Sequence, residues 1–174
     1  DDPKAMRRVL DLRNERSQLT QYQDNISTLR ENANVVYSTV NAMKRLSDRA
    51  SEIATMADGT KAPVALSAYA KEVDQLLEET LRLSNTQHRD VYIFSGTKSK
   101  DATYTATRDS DEKITAVSFD GNNNSAKIDI ALSTSVDGNH SAEGTHGILK
   151  NSANDADFIT NLIALRDNLT TAAD

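Results

Sequence analysis

The fold of this chain is decided by residues 19–57, which read LTQYQDNISTLRENANVVYSTVNAMKRLSDRASEIATMA. Apolar residues recur along this stretch at steps of three and four, which alternate except for two successive steps of three from Val40 to Leu46 and place the residues on one face of an α-helix. The stripe consists of Leu19, Tyr22, Ile26, Leu29, Ala33, Val36, Val40, Met43, Leu46, Ala50, Ile53 and Ala57. This heptad pattern predicts a long helix that packs against partners along one side.

The same stripe continues toward the start of the chain through Ala5, Val9 and Leu12. The opening Asp1-Asp2-Pro3 is typical of a helix start, because an Asp side chain accepts hydrogen bonds from first-turn amides and proline has no amide to leave unpaired. One helix from residue 3 to residue 57 would be about 80 Å long at the standard rise per residue. We therefore expect an elongated molecule.

A second helix is indicated by Thr60 and Pro63, which favour a helix start. Its apolar stripe keeps the same rhythm through Leu66, Tyr69, Val73, Leu76, Thr80 and Leu83. The two helices are predicted to form an antiparallel hairpin joined through Asp58-Gly59-Thr60. Because the second helix is about half as long as the first, it leaves part of the first stripe uncovered. That remainder is expected to contact segments of the same protein outside these residues, or neighbouring subunits.

A third helix is predicted to begin at Asn154-Asp155, with Asp157 in its first turn. Its apolar face consists of Phe158, Leu162, Leu165, Leu169 and Ala172. This face is expected to pack back on the first two helices and close a bundle. The predicted helical core is Leu19, Tyr22, Ile26, Leu29, Val36, Val40, Leu76, Leu83, Phe158 and Leu162.

The period changes from helix to strand at Val91, and residues 100–150 are rich in Thr, Ser, Asn, Asp and Gly. Short apolar segments at 114–119 and 128–132 predict strands, and residues 120–124 between them read as a hairpin connection. The predicted fold class is therefore α+β: an elongated helical bundle with a small inserted antiparallel β domain. We expect a helical rod domain from 1–95 plus 150–174, and a β domain from 96–149.

The composition excludes several function classes. The net charge is −6, with nine basic and eight acidic residues in 1–57 but six basic and twelve acidic residues in 100–174. No basic stripe is present to bind phosphates, so neither nucleic acid nor an anionic membrane surface is an expected partner. The chain has no cysteine, which excludes disulfides and thiolate chemistry.

Candidate catalytic groups are scarce, and we predict no catalytic residue, metal site or cofactor, and no enzyme activity. The histidines His88, His140 and His146 lack metal-ligand helical spacing. Glu78 and Glu79 are adjacent on a helix and point about 100° apart, so they do not converge. One alternative stays open: a small hydrolase or metal-binding module in residues 100–150 that uses His140, Glu143 and His146.

One short segment resembles a known family. Tyr92-Ile93-Phe94-Ser95-Gly96-Thr97-Lys98 is similar to a segment of the flagellin and hook-associated protein family, in the form found at the hook–filament junction rather than in flagellin. The opening Asp1-Asp2-Pro3 resembles the acidic pair that begins the outer helical domain of that family. Residues 41–60 resemble the end of its first long helix, and residues 158–169 resemble the segment before its C-terminal long helix.

The resemblance implies a structural subunit that is secreted through the flagellar export channel and assembles extracellularly as a ring joining hook to filament. It implies contacts with further copies of itself, with neighbouring hook-associated proteins and with flagellin. It also implies an export chaperone that binds a terminus outside these residues, and truncation at both ends. Two alternatives remain: a flagellin that forms the filament itself, and a soluble coiled-coil adaptor.

Overall fold

The computed structural model describes residues 3–57 and 61–174. Three helices carry the architecture: α1 (Pro3–Met56), α2 (Pro63–Ser84) and α3 (Phe158–Ala173). The single long first helix and the shorter second helix are confirmed. The predicted roles of Asp1 and Asp2 and of the turn at 58–60 lie outside the described residues.

The polypeptide between α2 and α3 forms short strands. They are β1 (Gln87–His88), β2 (Val91–Tyr92), β3 (Tyr104–Arg108), β4 (Ile114–Phe119), β5 (Lys127–Ala131), β6 (Thr134–Asp137), β7 (Glu143–Gly144), β8 (Lys150–Asn151) and β9 (Ala156–Asp157). The first six pair in sequence as three antiparallel two-stranded sheets, and β7, β8 and β9 form a three-stranded sheet in which β7 and β8 are parallel. The α+β fold class is confirmed.

The strand pairing corrects one prediction. Residues 120–124 do not connect a hairpin, because β4 pairs with β3 and β5 pairs with β6. The amide of Asn122 instead donates to the carbonyl of Ser95 at 3.0 Å, and its side chain accepts from the amide of Thr97 at 3.0 Å. These long-range hydrogen bonds replace the local turn that the sequence predicts.

The core lies where α2 packs against α3 on one side and against the second half of α1 on the other. Because α2 has two helical neighbours, it buries a wider face than the single predicted stripe. Ala70 and Leu77 are buried, whereas the predicted residues Tyr69 and Leu76 are only half-buried. The buried apolar residues of the helices are Met43, Ala50, Ile53, Leu66, Ala70, Val73, Leu77, Leu83, Ile159, Leu162 and Leu169.

The start of α3 also differs from the prediction. The helix begins at Phe158, with Asp157 as its N-cap, and the Asp157 side chain accepts a hydrogen bond from the amide of Thr160 at 3.0 Å. Ile159 is 1% exposed whereas Phe158 is half-buried, so the buried face is rotated by one residue at this end.

The predicted core membership of Leu19 is wrong, since its side chain is 55% exposed. The buried residues of α1 lie only between Thr39 and Ile53, far along the helix from Leu19. The division into a rod and a β domain stays a prediction, and the buried core crosses its boundary: Tyr104, Ile114 and Leu149 of the predicted β domain belong to the same cluster as the helices.

Candidate assembly surfaces

The first third of α1 carries an apolar face that nothing in the described chain covers. Every residue from 3 to 21 is exposed. We call Ala5, Val9, Leu12 and Leu19 the N-terminal stripe; Leu12 is 56% exposed and Val9 is 44% exposed. Apolar surface of this extent on a protein marks an interaction site. A lone helical segment of this length is also marginal in water without packing.

The charges beside this stripe are mostly positive. Residues 3–16 contain Lys4, Arg7, Arg8, Arg13 and Arg16, against the two acidic residues Asp11 and Glu15. The acidic excess of the chain therefore lies elsewhere, in residues 100–174. The exposed end of α1 offers a partner both apolar contact and positive charge.

The middle of α1 is contacted by the β region instead of by a helix. Asn25 donates from Nδ2 to the carbonyl of Asp129 on β5 at 2.8 Å. The turn between β1 and β2 adds two contacts: His88 Nδ1 lies 3.0 Å from Asn32 Oδ1, and the Arg89 guanidinium pairs with Glu31. The stripe residues Tyr22, Ile26, Leu29 and Val36 are consequently half-buried.

Residues 92–98, the segment that resembles the flagellin and hook-associated protein family, form hydrogen bonds to several loops of the β region. We call this segment the hub. Phe94 is 1% exposed and Ser95 is fully buried. The Phe94 carbonyl accepts from the amide of Ala142 at 2.8 Å, and Ser95 Oγ donates to the carbonyl of Asp101 at 3.0 Å. The sequence singled out these residues as a motif; the structure shows that their buried part holds three separate loops together.

Gly96 is required at its position in the hub. It has φ +64°, a left-handed backbone conformation that favours glycine. A Cβ built there would lie 2.0 Å from the carbonyl oxygen of Asn122. The amide of Gly96 donates to the carbonyl of His140 at 3.0 Å. Gly96 is therefore held between the backbones of Asn122 and His140.

The ion pair between Arg49 and Glu72 joins α1 to α2. Arg49 Nε lies 2.6 Å from Glu72 Oε1, and Nη1 of the same guanidinium lies 2.6 Å from Glu52. The hydrogen bond from Arg49 lowers the pKa of the Glu72 carboxyl below its ordinary value. This pair fixes the register of the two helices at the edge of their contact.

The alternative of a hydrolase or metal site at His140, Glu143 and His146 is not supported by the described residues. His140 and His146 are exposed, and Glu143 accepts a hydrogen bond from the buried Tyr104 hydroxyl at 3.1 Å. Within residues 3–57 and 61–174, no group of three His, Cys, Asp or Glu side chains is placed to hold a metal ion. In the same ranges, no helix is both long and apolar enough to cross a membrane.

Sequence reasoning missed one buried charge. Arg166 is buried on α3, and its Nη1 donates to the carbonyl of Ile114 at 2.7 Å. The sequence contains a sign that Arg166 is buried. It lies in a series with the three-four spacing of a buried helix face, formed by Ile159, Leu162, Arg166 and Leu169. An arginine inside that rhythm indicates a buried partner carboxylate.

The fold is similar to those of solved flagellar hook-associated proteins. No family model matches the sequence, and no curated protein matches it. The solved structures that it resembles include FlgL from Xanthomonas campestris, at 17% identity and a TM-score of 0.67 over 74% of this chain and 40% of that one. A protein described as a flagellar hook-associated protein from Vibrio parahaemolyticus has 22% identity and a TM-score of 0.66, over 100% of this chain and 80% of that chain.

A third structure, the flagellar hook-associated protein-3 from Legionella pneumophila, has 20% identity and a TM-score of 0.55 over 78% of this chain and 39% of that one. The chain thus spans about two fifths of the Xanthomonas and Legionella proteins. At these identities the likeness establishes the fold.

Proposed function

We propose that this chain is part of a structural subunit of the bacterial flagellum that joins the hook to the filament. The similarity of its fold to solved hook-associated proteins supports this assignment. The observation that carries it is the uncovered N-terminal stripe on α1, because an assembling subunit needs an apolar face that its own described fold leaves open. The role is architectural, and the subunit acts outside the cell.

The partners in this proposal are further copies of the same subunit in a ring, neighbouring hook-associated proteins and flagellin. The N-terminal stripe packs against helices from these partners, or from parts of the full protein outside residues 1–174, in the heptad manner of a coiled coil. An export chaperone binds a terminus outside these residues. The hub supports the junction role over the filament role, through its resemblance to the junction form of the family.

The proposal is tested with the full-length protein in a strain that lacks it. We expect the deletion strain to lose its filaments, seen by electron microscopy, while flagellin monomers accumulate in the medium. A deletion strain that keeps its filaments contradicts the junction role. If this chain were the filament subunit itself, the deletion strain would release no filament protein.

The stripe is tested by complementation with Leu12→Asp. A carboxylate in the middle of an apolar seam costs several kcal/mol when the seam is closed, so we expect few or no filaments. Asn14→Asp is the matched control, because it adds the same charge on the opposite face of the same turn of α1. Equal filament counts for the two variants would remove the stripe from the proposal.

A further inference from the structure

The hairpin formed by β5, β6 and the turn between them is one of three separate two-stranded sheets in the described chain. We call residues 127–137 the strap. Its two strands pair only with each other, as a separate two-stranded sheet. None of its residues is buried. Two-stranded hairpins without further packing are marginally stable in water.

The strap lies across the middle of α1 and is held there mainly by apolar contact. Within the described ranges, one hydrogen bond ties it to that helix, from Asn25 Nδ2 to the carbonyl of Asp129. The ion pair of the strap, between Lys127 and Asp137 at 2.6 Å, is internal to it. The remaining contact is apolar and partial, since Tyr22, Ile26 and Ile130 stay half-buried.

Two half-open clefts border the strap. One, of about 270 Å³, separates its base from α1 and the hub and includes Val36, Ile93 and Ile128 in its lining. Another, of about 390 Å³, lies between its tip and α1 and includes Leu19, Tyr22 and Leu132. Missing contacts on both sides lower the free energy needed to open an element locally.

The base of the strap is fastened more firmly than its body. Asn139 Oδ1 accepts from the amide of Ala126 at 2.7 Å, and Asn139 Nδ2 donates to the carbonyl of Asn124 at 3.2 Å. The amide of Gly138 donates to the carbonyl of Ala126 at 2.8 Å. Next along the chain, His140 is bonded to the hub through Gly96. We therefore take residues 124–126 and 138–139, at the hydrogen-bonded base, as the hinge about which the two strands move.

We propose that the strap is a conformational device that lifts from α1 as a unit, about its hinge, while the helices and the hub stay folded. Lifting uncovers Tyr22 and Ile26, which continue the N-terminal stripe along α1. The open form therefore offers a partner helix a longer apolar seam than the closed form does. This inference rests on the fold and does not depend on the proposed flagellar role.

Native-state hydrogen exchange of the 174-residue chain tests the strap as a separate unit. We expect the paired amides of β5 and β6 to exchange at least about 100-fold faster than the core amides of α2, after correction for intrinsic rates and with little dependence on added denaturant, because a lifted hairpin has lost its packing and its own pairing is then only marginally stable. Strap amides that exchange at the rate of α2 amides, with the same denaturant dependence, would overturn the proposal.

The variant Asn25→Ala tests the attachment to α1. Losing one hydrogen bond is worth about a factor of five in an opening equilibrium, so strap exchange should rise about fivefold while α2 exchange is unchanged. Asn34→Ala is the matched control on an exposed position of the same helix, and it should change neither. If Asn25→Ala leaves strap exchange unchanged, the strap does not open by leaving α1.

A thiol probe distinguishes lifting from fraying within the hairpin. Because the chain contains no cysteine, Ile26→Cys introduces a unique thiol under the strap. Its alkylation rate, normalised to the rate in denaturant, should rise about fivefold when Asn25→Ala is added. Strap amides that respond to Asn25→Ala while this thiol does not would show fraying and overturn lifting.

Discussion

Arg166 of α3 donates a hydrogen bond from Nη1 to Asp74 Oδ1 of α2 at 3.0 Å. The Arg166 side chain is 6% exposed and the Asp74 side chain is 31% exposed. Burial acts to lower the pKa of Arg166, but hydrogen bonds to Asp167 and Asp74 outweigh it, and the net pKa is raised. Since Nη1 also bonds the carbonyl of Ile114, one guanidinium joins two helices and the start of β4.

We predict that Arg166→Ala lowers the free energy of unfolding by about 2 kcal/mol, because it leaves the half-buried Asp74 carboxylate and the buried Ile114 carbonyl without their donor. Urea denaturation followed by circular dichroism measures the change. Arg82→Ala is the control, since Arg82 pairs with Glu79 at the surface, and it should cost much less. Equal losses for the two variants would show that the buried position of Arg166 is unimportant.

We predict that Gly96→Ala destabilises the protein by about 3 kcal/mol, through backbone strain at φ +64° and the clash with the Asn122 carbonyl. Gly138→Ala should cost only about 1 kcal/mol, because the nearest obstacle there is the flexible end of the Ile128 side chain. Thermal or urea unfolding of both variants gives the comparison. A Gly96→Ala protein as stable as Gly138→Ala would contradict the packing of the hub.

Acid should weaken the protein through its paired carboxylates. The hydrogen bond from Arg108 lowers the pKa of Glu78 below its ordinary value of 4.5, and Glu72 and Glu79 are lowered likewise by Arg49 and Arg82. The unfolded chain then takes up these protons first as pH falls. Their stabilisation is therefore complete above pH 4.5 and is lost as pH falls through the folded pKa values.

The measurement for this prediction is the urea midpoint between pH 7 and pH 3. Glu78→Gln should flatten the acid side of the profile and cost less than about 1 kcal/mol at pH 7, because the pair with Arg108 is partly exposed. A profile for Glu78→Gln that matches the parent protein in slope would show that this carboxylate does not contribute to the acid loss.

High pH should lower the stability of the folded protein through ionisation of the Tyr104 hydroxyl. Burial, followed by the negative charge of Glu143, raises the pKa of the Tyr104 hydroxyl above its ordinary value of 10.0. The folded protein holds this proton where the unfolded chain releases it, so the stabilisation is complete below pH 10 and is lost as pH rises further.

The difference in phenolate absorbance at 295 nm between the parent protein and Tyr104→Phe measures this titration. We expect the Tyr104 signal to appear well above pH 10, together with the loss of helical circular dichroism. A signal that appears near pH 10 in the folded protein would mean that the ring is accessible to water.

Local pattern was sufficient to predict the helices. The three-four rhythm of α1 and α2 specified their type and approximate bounds, because helix periodicity depends on residues that are close in sequence. The same rhythm placed Leu83 and Leu162 in the core. It failed at Leu19, since burial requires a covering element and heptad spacing alone does not say which element covers each turn.

The strands of the β region could not be paired from sequence. Several strands have two residues, too few to carry a period, and the pairing of β3 with β4 depends on where residues 120–124 bind. Resemblance to a family singled out the hub in the sequence. Its physical role did not follow from the sequence, because its hydrogen-bond partners Asn122 and Ala142 are distant along the chain.

The sequence by itself determined a long heptad helix, its antiparallel companion, a returning third helix and a small strand-rich insertion, since each depends on local periodicity and capping. The tertiary structure decided which part of the α1 stripe stays open, where Arg166 finds its carboxylate and how the strap rests on α1. These features arise from contacts between residues far apart in the chain, whose free energies depend on burial and geometry that no local pattern contains.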